Sequence, residues 1–384
     1  MLLVLAAMTL LLWWALAFDW ARGMAGLADL KDEHVDRGAP VPNLSVVIAA
    51  RDEAATLGAT LSALSAQQLR GLEVVVVDDR SGDGTRAVAE AAAARDARVR
   101  VLSVHELPAG WLGKTHALQL GARAARGEWL LFTDADVRFT PGALARALSY
   151  AQRRGVDHLV ALPRLRARGP LLRSFVTAFG LLFSVYTRPW RARTAGARAS
   201  IGIGAFGLVR RSAYRAVGGH TSIRLRPDDD LRLGRLLKRA GYVQEAVFGG
   251  DDVAVEWYPD LPSALKGLEK NAFAGLDYSV PRLVLVLAAL LVTNVMPFVA
   301  PWFVGGPARW LYVAVIATVG LVYVYDAPRS RHAAWLFVLH PLGTLLLVYA
   351  AAGSAAAALR TGAVEWRGTR YSLEELRRNG RRPR

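Results

Sequence analysis

The chain has 384 residues, enough for one catalytic domain and several membrane helices but not for two large independent domains. Hydrophobic residues make up 53% of the chain and the mean hydropathy is +0.24, which is too apolar for a soluble enzyme of this size. The composition therefore predicts a membrane protein. The lack of cysteine excludes a disulfide framework, a thiolate metal site and a cysteine nucleophile.

The net charge of +16 is concentrated in the middle of the chain. Residues 151–240 contain 19 Arg and Lys but only four Asp, so this segment alone contributes +15. Apolar runs such as residues 171–185 alternate with these basic residues, which favours an anionic membrane surface over nucleic acid as the partner. No nucleic-acid-binding motif accompanies the charge, and we expect no nucleic-acid partner.

The N-terminus carries the first apolar segment. Residues 2–18 are uncharged and just long enough to span a bilayer, and they lack the basic leader and cleavage site of a signal peptide. We therefore expect a retained transmembrane anchor over residues 1–20. The basic residues Arg22, Lys31 and Arg37 follow it, so the positive-inside rule predicts that the next domain faces the cytoplasm.

Three more apolar segments lie within residues 281–359, at 283–304, 310–325 and 333–358, and a basic tail follows over residues 360–384. If all three segments cross the membrane, the eight arginines of the tail lie opposite the catalytic domain, against the positive-inside rule. One segment is therefore expected to be re-entrant or interfacial. The candidate is the first, because polar and helix-breaking residues interrupt it: Asn294, Pro297 and Pro301.

The interval between the anchors, residues 43–280, alternates short apolar runs with helical segments. The apolar runs are typical of buried parallel strands, and they lie at residues 44–49, 73–77, 99–104 and 128–133. Residues 54–68 and 86–95 have helical composition. This alternation predicts an α/β sheet with crossover helices.

Carboxylates follow one of these strands directly. Asp134 and Asp136 come after the apolar run 129–132, and ligands of doubly wound sheets bind beyond the carboxyl ends of strands. Hard cations such as Mg²⁺ and Mn²⁺ take oxygen ligands and often share carboxylates with substrate phosphates. A solvated turn or a helix cap is the alternative interpretation of this pair.

Two other strand exits repeat the pattern. Asp79 ends the valine-rich second strand and is suited to accept hydrogen bonds from a base or ribose, whereas a turn and cap role is favoured for residues 81–85. Ala50, Asp52 and Glu53 follow the first strand. We expect the three exits to converge on one site.

Two further motifs carry charge. Lys114 follows Gly113 but lacks the earlier glycine of a phosphate loop, so it is expected either to reach a pyrophosphate or to remain a solvated lysine. Asp228, Asp229 and Asp230 begin a helix with leucines at helical spacing. Helix capping explains one of these carboxylates, and a metal, a substrate or nearby arginines must offset the repulsion of the others.

Together these motifs resemble the family 2 glycosyltransferases, which have the GT-A fold, over about residues 43–280. The resemblance implies that Asp136 is the principal metal ligand with Asp134 beside it, and that Asp79 binds the base or ribose. It also implies that Asp230 is the general base, next to Asp229 where such families usually have glutamate. The implied donor-binding residues are Ala50, Asp52, Glu53, Asp79, Lys114 and Asp134.

Within that family the chain resembles the membrane enzymes that glycosylate hopanoids or carotenoids. The motifs are residues 110–114, 218–220, 270–271 and 366–368. The resemblance implies a multi-pass protein of the cell membrane that transfers one sugar with inversion, from a nucleotide sugar with UDP favoured, to a lipid or isoprenoid acceptor, using Mg²⁺ or Mn²⁺. A processive polysaccharide synthase is an alternative, although its Gln-x-x-Arg-Trp motif is absent. A non-catalytic nucleotide-sugar-binding membrane protein is another.

Overall fold

The computed structural model describes residues 1–35, 42–269, 272–366 and 368–380, and the chain divides into two compact units. The sheet unit comprises Leu27–Arg166 and Pro189–Glu256, and the helical unit comprises Met1–Gly26, Ala167–Arg188 and Trp257–Arg384. These bounds differ from the expected single domain over residues 43–280. The apolar helix after residue 167 groups with the other apolar helices, while Asp29 forms a bridge with Phe248 at the edge of the sheet.

The strands are β1 Leu44–Ala50, β2 Leu72–Asp79, β3 Val99–Val104, β4 Trp129–Thr133, β5 Val137–Phe139, β6 His158–Leu165, β7 Gly207–Arg210, β8 Gln244–Val255, β9 Ala363–Trp366 and β10 Thr369–Ser372. The helices are α1 Leu2–Ala25, α2 Ala54–Ser65, α3 Thr85–Arg95, α4 Gly113–Ala124, α5 Ala143–Arg153, α6 Pro170–Thr187, α7 Arg211–Ala216, α8 Asp229–Arg239, α9 Leu261–Glu269, α10 Ala272–Gly275, α11 Val280–Leu290, α12 Met296–Val299, α13 Gly306–Ser330, α14 His340–Thr361 and α15 Leu373–Gly380.

The sheet unit is built on an eight-stranded sheet in the order β3-β2-β1-β4-β7-β6-β8-β5. The first four strands pair in parallel, with α2, α3 and α4 in the connections between them. The predicted α/β sheet with crossover helices is therefore confirmed in this half. In the other half β7 is antiparallel to β4 and β6, and β5 is antiparallel to β8, so the whole sheet is mixed.

Burial explains why these segments form strands and helices. Val74, Val75, Val76 and Val77 of β2 are all buried, as expected for a parallel strand covered on both faces. The buried leucines of α2 recur at helical spacing and join the same core cluster, and they are Leu57, Leu61 and Leu64. Because β1, β2 and β4 pack in parallel in this sheet, their carboxyl ends lie at the same edge.

The helical unit contains apolar helices whose length and composition would allow them to cross a membrane. Five such segments occur in the described chain: Leu2–Ala25, Pro170–Arg191, Val280–Trp302, Gly306–Ser330 and Ala334–Thr361. The third is interrupted by a π-helical turn over Leu291–Val295, which contains Asn294.

Side-chain contacts give the direction of each helix within this unit. Trp14 Nε1 donates to Thr318 Oγ1 at 3.2 Å, and the Tyr325 hydroxyl donates to the Ala21 carbonyl at 3.1 Å. Residue numbers rise together along both helices, so α1 and α13 run parallel.

The segment Val280–Trp302 runs the opposite way. Trp13 Nε1 donates to the Thr293 carbonyl at 2.7 Å, whereas Ala6 packs in one cluster with Ala300. A smaller residue number in α1 pairs with a larger number in this segment, so the two are antiparallel. The beginning of α11 therefore lies at the end of the unit where α1 finishes.

The last apolar segment turns back on itself. His340, the first residue of α14, contacts Tyr323 through Nδ1 at 2.9 Å and Asn294 through Nε2 at 3.0 Å, which places it halfway along α11–α13. The Phe273 N–H donates to Ser354 Oγ at 3.3 Å, and Phe273 precedes α11. Residues 331–361, named here the returning segment, thus start and finish at the end where α1 finishes.

Candidate active site

The carboxyl ends of three neighbouring strands form the edge that carries the predicted site. Ala50 and Asp79 are the last residues of β1 and β2, and Asp134 directly follows β4. Because β2, β1 and β4 are adjacent and parallel, these three exits lie side by side at one edge of the sheet.

Hydrogen bonds join the loops after β1 and β2. Asp52 Oδ1 accepts the Gly82 N–H at 2.8 Å. This bond fixes one oxygen of Asp52, a residue predicted to bind the nucleotide sugar. The backbone N–H groups of residues 52–54 donate to side chains of the second loop, namely Ser81, Thr85 and Asp83, at 3.1, 2.7 and 3.1 Å. These contacts agree with the structural role expected for residues 81–85.

Asp79 is buried and surrounded by arginine. Arg80 donates to both of its oxygens, at 2.8 and 3.3 Å, and Arg51 Nη1 lies 3.9 Å from Oδ2. A Cβ at Gly113 would lie 2.0 Å from Asp79 Oδ2, so any larger residue at the start of α4 would displace the Asp79 carboxylate. Arg51 Nε and Asp78 Oδ1 are buried without a hydrogen-bond partner in the described chain, so polar groups are available to a ligand here.

Asp136 has the features of a cation ligand. Burial, followed by the negative charges of Asp134 and Glu53, raises the pKa of Asp136 above its ordinary value. Within the described residues its Oδ1 is shielded from solvent and has no hydrogen-bond partner. A buried carboxylate oxygen next to two other carboxylates suits a divalent cation, which would supply the missing positive charge.

No group of three His, Cys, Asp or Glu side chains in the described part of the chain is arranged to enclose a metal. This finding argues against a metal ion enclosed by three or more protein side chains, but not against one held by only one or two. Mg²⁺ is usually bound through one or two carboxylates, with substrate phosphates and water completing the shell. Asp136 and Asp134 supply that number of carboxylates.

A small cavity brings the other predicted residues together. Lys114, Asp134, Asp229 and Asp230 all line a space of about 20 Å³, which has room for one water-sized group such as a hydroxyl. Lys114 Nζ lies 2.8 Å from Asp134 Oδ1 and 3.8 Å from Asp229 Oδ1. The lysine therefore offsets the negative charge of this cluster. Ala50, Asp52, Glu53, Asp79 and Asp136 do not line the cavity.

The aspartates at the start of α8 have different surroundings. Asp228 receives hydrogen bonds from Arg226, at 2.8 and 3.0 Å, and from Arg232 at 2.8 Å, so arginines neutralise it. Burial raises the pKa of Asp229, and burial together with Asp229 raises the pKa of Asp230, while Lys114 acts in the opposite direction on both. An aspartate with a raised pKa is a better proton acceptor than an ordinary surface carboxylate.

A glycine-containing segment that sequence analysis missed closes the cavity. A Cβ at Gly202 would lie 1.9 Å from the Asp230 carbonyl oxygen, and one at Gly204 would lie 2.6 Å from Asp134 Oδ2. Glycine is thus required at residue 202, where the clash is with backbone, whereas a Cβ at residue 204 would displace the Asp134 side chain. His158 and His220 also line the cavity and were not predicted to belong to it.

Comparison with known proteins bears on this arrangement. Residues 45–218 match the model of the family described as Glycosyl transferase family 2. A 4,4'-diaponeurosporenoate glycosyltransferase of Staphylococcus aureus strain MRSA252 is 25% identical over 339 residues, covering 86% of this chain and 89% of that protein. The protein of the same name in strain USA300 is 24% identical over 339 residues.

Among solved structures, the mannosyltransferase from Pyrobaculum calidifontis in complex with GDP-Man and Mn²⁺ matches with a TM-score of 0.56 at 19% identity, covering 92% of this chain and 99% of that chain. This likeness shows that the chain has the GT-A fold, and the family model and the named relatives indicate a glycosyltransferase. The matched segment is a family 2 glycosyltransferase domain, which confirms the resemblance stated from the motifs. Of those motifs, residues 270, 271 and 367 lie outside the described residues.

Proposed function

We propose that this glycosyltransferase moves a single sugar, with inversion, from a nucleoside diphosphate sugar to a hydroxyl group of a lipid or isoprenoid-type acceptor. The observation that carries the proposal is the clustering of Lys114, Asp134, Asp229 and Asp230 around one water-sized cavity. Asp230 as the proton acceptor, the ammonium group of Lys114 and Asp134, the first carboxylate of the Asp-x-Asp pair, therefore surround a space in which a hydroxyl group fits.

Asp136, with Asp134 beside it, would hold Mg²⁺ or Mn²⁺. Bound there, the cation would neutralise the charge that develops on the leaving nucleoside diphosphate. The buried, unpartnered Oδ1 of Asp136 supports this assignment. The mannosyltransferase structure that shares the fold contains Mn²⁺, which supports the same class of ion.

Asp230 removes the proton from the acceptor hydroxyl. Its raised pKa suits a general base, and its place at the start of α8 directs it toward the cavity. No covalent intermediate with the enzyme is needed, because the hydroxyl attacks the sugar directly and the configuration inverts. Lys114 leaves its ion pair with Asp134 to contact the diphosphate, since its ammonium group lies at the same edge of the sheet.

The donor contacts comprise Ala50, Asp52, Glu53, Asp79 and Lys114, with Asp134 close to the sugar. UDP is the favoured nucleotide. The polar atoms left unpaired around Asp79 support a base-binding role there, because Arg51 Nε can donate to a base carbonyl. The acceptor class rests on the Staphylococcus aureus relatives, whose name specifies the glycosylation of diaponeurosporenoate, and on the apolar character of the helical unit.

The enzyme lies in the cell membrane with its sheet unit facing the cytoplasm. α6 cannot cross, because the chain enters it from the sheet unit and returns to the sheet unit after it. The returning segment does not cross either, because it starts and finishes at one end of the helical unit. Three crossings remain: α1, Val280–Trp302 and α13.

Three crossings place the C-terminal tail on the same side as the catalytic domain. The tail carries eight arginines, so this topology satisfies the positive-inside rule. The returning segment, rather than residues 283–304, is then the re-entrant one. The basic residues between 151 and 240 supply contacts to an anionic membrane surface, and no nucleic acid is involved.

Two alternatives make different predictions. A non-catalytic binding protein would bind nucleotide sugars without turnover, but every carboxylate expected for catalysis is present. A processive synthase would extend a polymer, but its Gln-x-x-Arg-Trp motif is absent.

A screen of radiolabelled nucleotide sugars against a total lipid extract tests the proposal. The expected result is one labelled lipid that carries a single sugar and forms only when Mg²⁺ or Mn²⁺ is added. Binding of a nucleotide sugar without any label transfer would support the non-catalytic alternative. A ladder of lengthening products would support the synthase.

A further inference from the structure

A chain of hydrogen bonds runs behind the cavity from α4 to His220. The Tyr214 hydroxyl donates to Gln119 Oε1 at 3.0 Å, and the Thr221 N–H donates to the same oxygen at 3.2 Å. Tyr214 Oη accepts the backbone N–H of His220 at 3.1 Å and lies 2.8 Å from its ring Nδ1. His220 is buried, with 1% of its surface exposed.

These contacts select one tautomer of His220. The single hydroxyl proton of Tyr214 goes to Gln119, whose Oε1 is identified as the acceptor by the Thr221 N–H. Tyr214 Oη must then accept from Nδ1, so the ring proton lies on Nδ1 and Nε2 carries a lone pair. Nε2 faces Asp229 Oδ2 at 3.9 Å.

The local backbone is built to hold the ring in this orientation. Gly219 has a φ of +54°, and a Cβ there would lie 2.4 Å from the ring of Tyr214. The ring centroid of Phe132 lies 4.9 Å from that of His220 and 5.1 Å from that of Tyr214. The His220 ring therefore packs against Phe132 as well as Tyr214, which restricts the direction of Nε2.

The charged groups that face His220 are Lys114 on α4 and Asp229 on α8, with the hydroxyl of Tyr214 on α7. Burial first, and then Lys114, lower the pKa of His220 to about 3, so the ring is neutral. A neutral Nε2 lone pair meets a carboxyl group favourably only when that group offers a proton. Burial raises the pKa of Asp229 and that of Asp230 as well, so it is the lone pair on Nε2, which faces Asp229, that singles out Asp229 as the protonated member of the pair.

We propose that His220 is a positioning residue that accepts a hydrogen bond from the Asp229 carboxyl group and thereby leaves Asp230 as the proton acceptor. The distance of 3.9 Å between His220 Nε2 and Asp229 Oδ2 is longer than a hydrogen bond, so the proposal requires the two atoms to approach when the acceptor hydroxyl enters the cavity. The two neighbouring aspartates then have different tasks, because their surroundings differ. This inference rests on the proposed function, and it assigns a separate role to Asp229 and to Asp230.

A matched pair of substitutions tests the role of each ring nitrogen. His220→Gln places an amide near the position of Nε2 and keeps a group facing Asp229. His220→Asn places its amide near Nδ1, keeps the contact with Tyr214 and loses the one with Asp229. Rates are measured with the full-length protein as label transfer to the lipid extract, and Mn²⁺-dependent UDP binding is measured by calorimetry.

We expect kcat to fall on the order of 10- to 10²-fold in His220→Asn and less in His220→Gln, with UDP affinity unchanged in both. The acid limb of the pH profile should also shift in His220→Asn. Thermal midpoints are recorded for both variants. Equal losses of kcat in the Gln and Asn variants, or losses that only follow the thermal midpoints, would overturn the positioning role.

Asp230→Asn, measured in parallel, keeps the two proposals apart. Normal turnover in Asp230→Asn contradicts the proposed base, whatever the His220 variants do. A loss in Asp230→Asn together with normal kcat in His220→Asn contradicts only the inference about His220.

Discussion

At Asp136, one carboxylate oxygen is shielded from solvent and lacks a hydrogen-bond partner among the described residues. We expect Asp136→Ala to abolish label transfer, because the cation would lose its principal ligand and Asp134 alone would hold it too weakly. Mn²⁺ should raise the thermal midpoint of the wild-type protein but not that of the variant, because binding to the folded state stabilises it. Full activity in excess chelator would disprove metal dependence.

Lys114 faces Asp134, Asp229 and Asp230, so its removal leaves a cluster of carboxylates without compensation. We expect Lys114→Met to lower the free energy of unfolding by about 1–3 kcal/mol and to weaken donor binding. The Mn²⁺-induced rise in thermal midpoint should become larger, because the lysine no longer competes with the cation for Asp134. Lys266→Met, at an exposed position on α9, is the control. A variant with unchanged donor affinity would refute the diphosphate contact.

The sequence predicted the position of the carboxylates at the sheet edge but did not point to the histidines that line the cavity. Asp79, Asp134 and Asp136 follow apolar runs that are recognisable as strands, so their position at the sheet edge was predictable. His220 is held at the site by its contact with Tyr214, and Tyr214 in turn is bonded to Gln119, which lies 95 residues away along the chain. The two glycines before His220 were the one local signal, because both have positive φ.

At the scale of elements, the segment over residues 200–204 controls how closely α8 approaches Asp134. We expect Gly202→Ala to destabilise the protein by about 1–3 kcal/mol and to lower kcat, because the new Cβ would meet the backbone of Asp230 at 1.9 Å. Urea denaturation and initial rates measure the two effects.

Gly58→Ala is the matched control for that substitution. Gly58 lies in α2, and its added Cβ would meet Val88 at 3.4 Å, an ordinary contact. Alanine there should be neutral or stabilise by about 0.5–1 kcal/mol, because it favours the helix. Equal effects of Gly202→Ala and Gly58→Ala would show that the close approach at residue 202 is unimportant.

The first half of the sheet was predictable and the second was not. Strands β1, β2 and β4 contain continuous apolar runs, which parallel strands covered on both faces require. β8 contains Gly249, Gly250, Asp251 and Asp252, a sequence typical of a turn, and its strand pairing depends on β6 and β5 on either side. α6 has the composition of a span, but its grouping with the other apolar helices depends on tertiary contacts.

For the whole molecule, the topology with three crossings can be tested directly because the chain has no cysteine. Single cysteines at Leu2, Val304 and Ser372 would each be the only thiol in the protein. We expect a membrane-impermeant thiol reagent applied to intact cells to label positions 2 and 304 but not 372. Labelling of position 372 from outside would mean that the returning segment crosses.

The measurement that tests the account most directly is turnover and donor binding in Asp230→Asn. Asparagine keeps the size of aspartate at the second residue of α8, so the fold and the nucleotide-sugar affinity should be preserved. We expect kcat to fall about 10²- to 10⁴-fold. Wild-type kcat should fall as pH drops through the raised pKa of Asp230, because only the carboxylate accepts the proton. Near-normal kcat in Asp230→Asn, or a loss explained entirely by weaker metal-dependent donor binding, would contradict the role of Asp230 as the base.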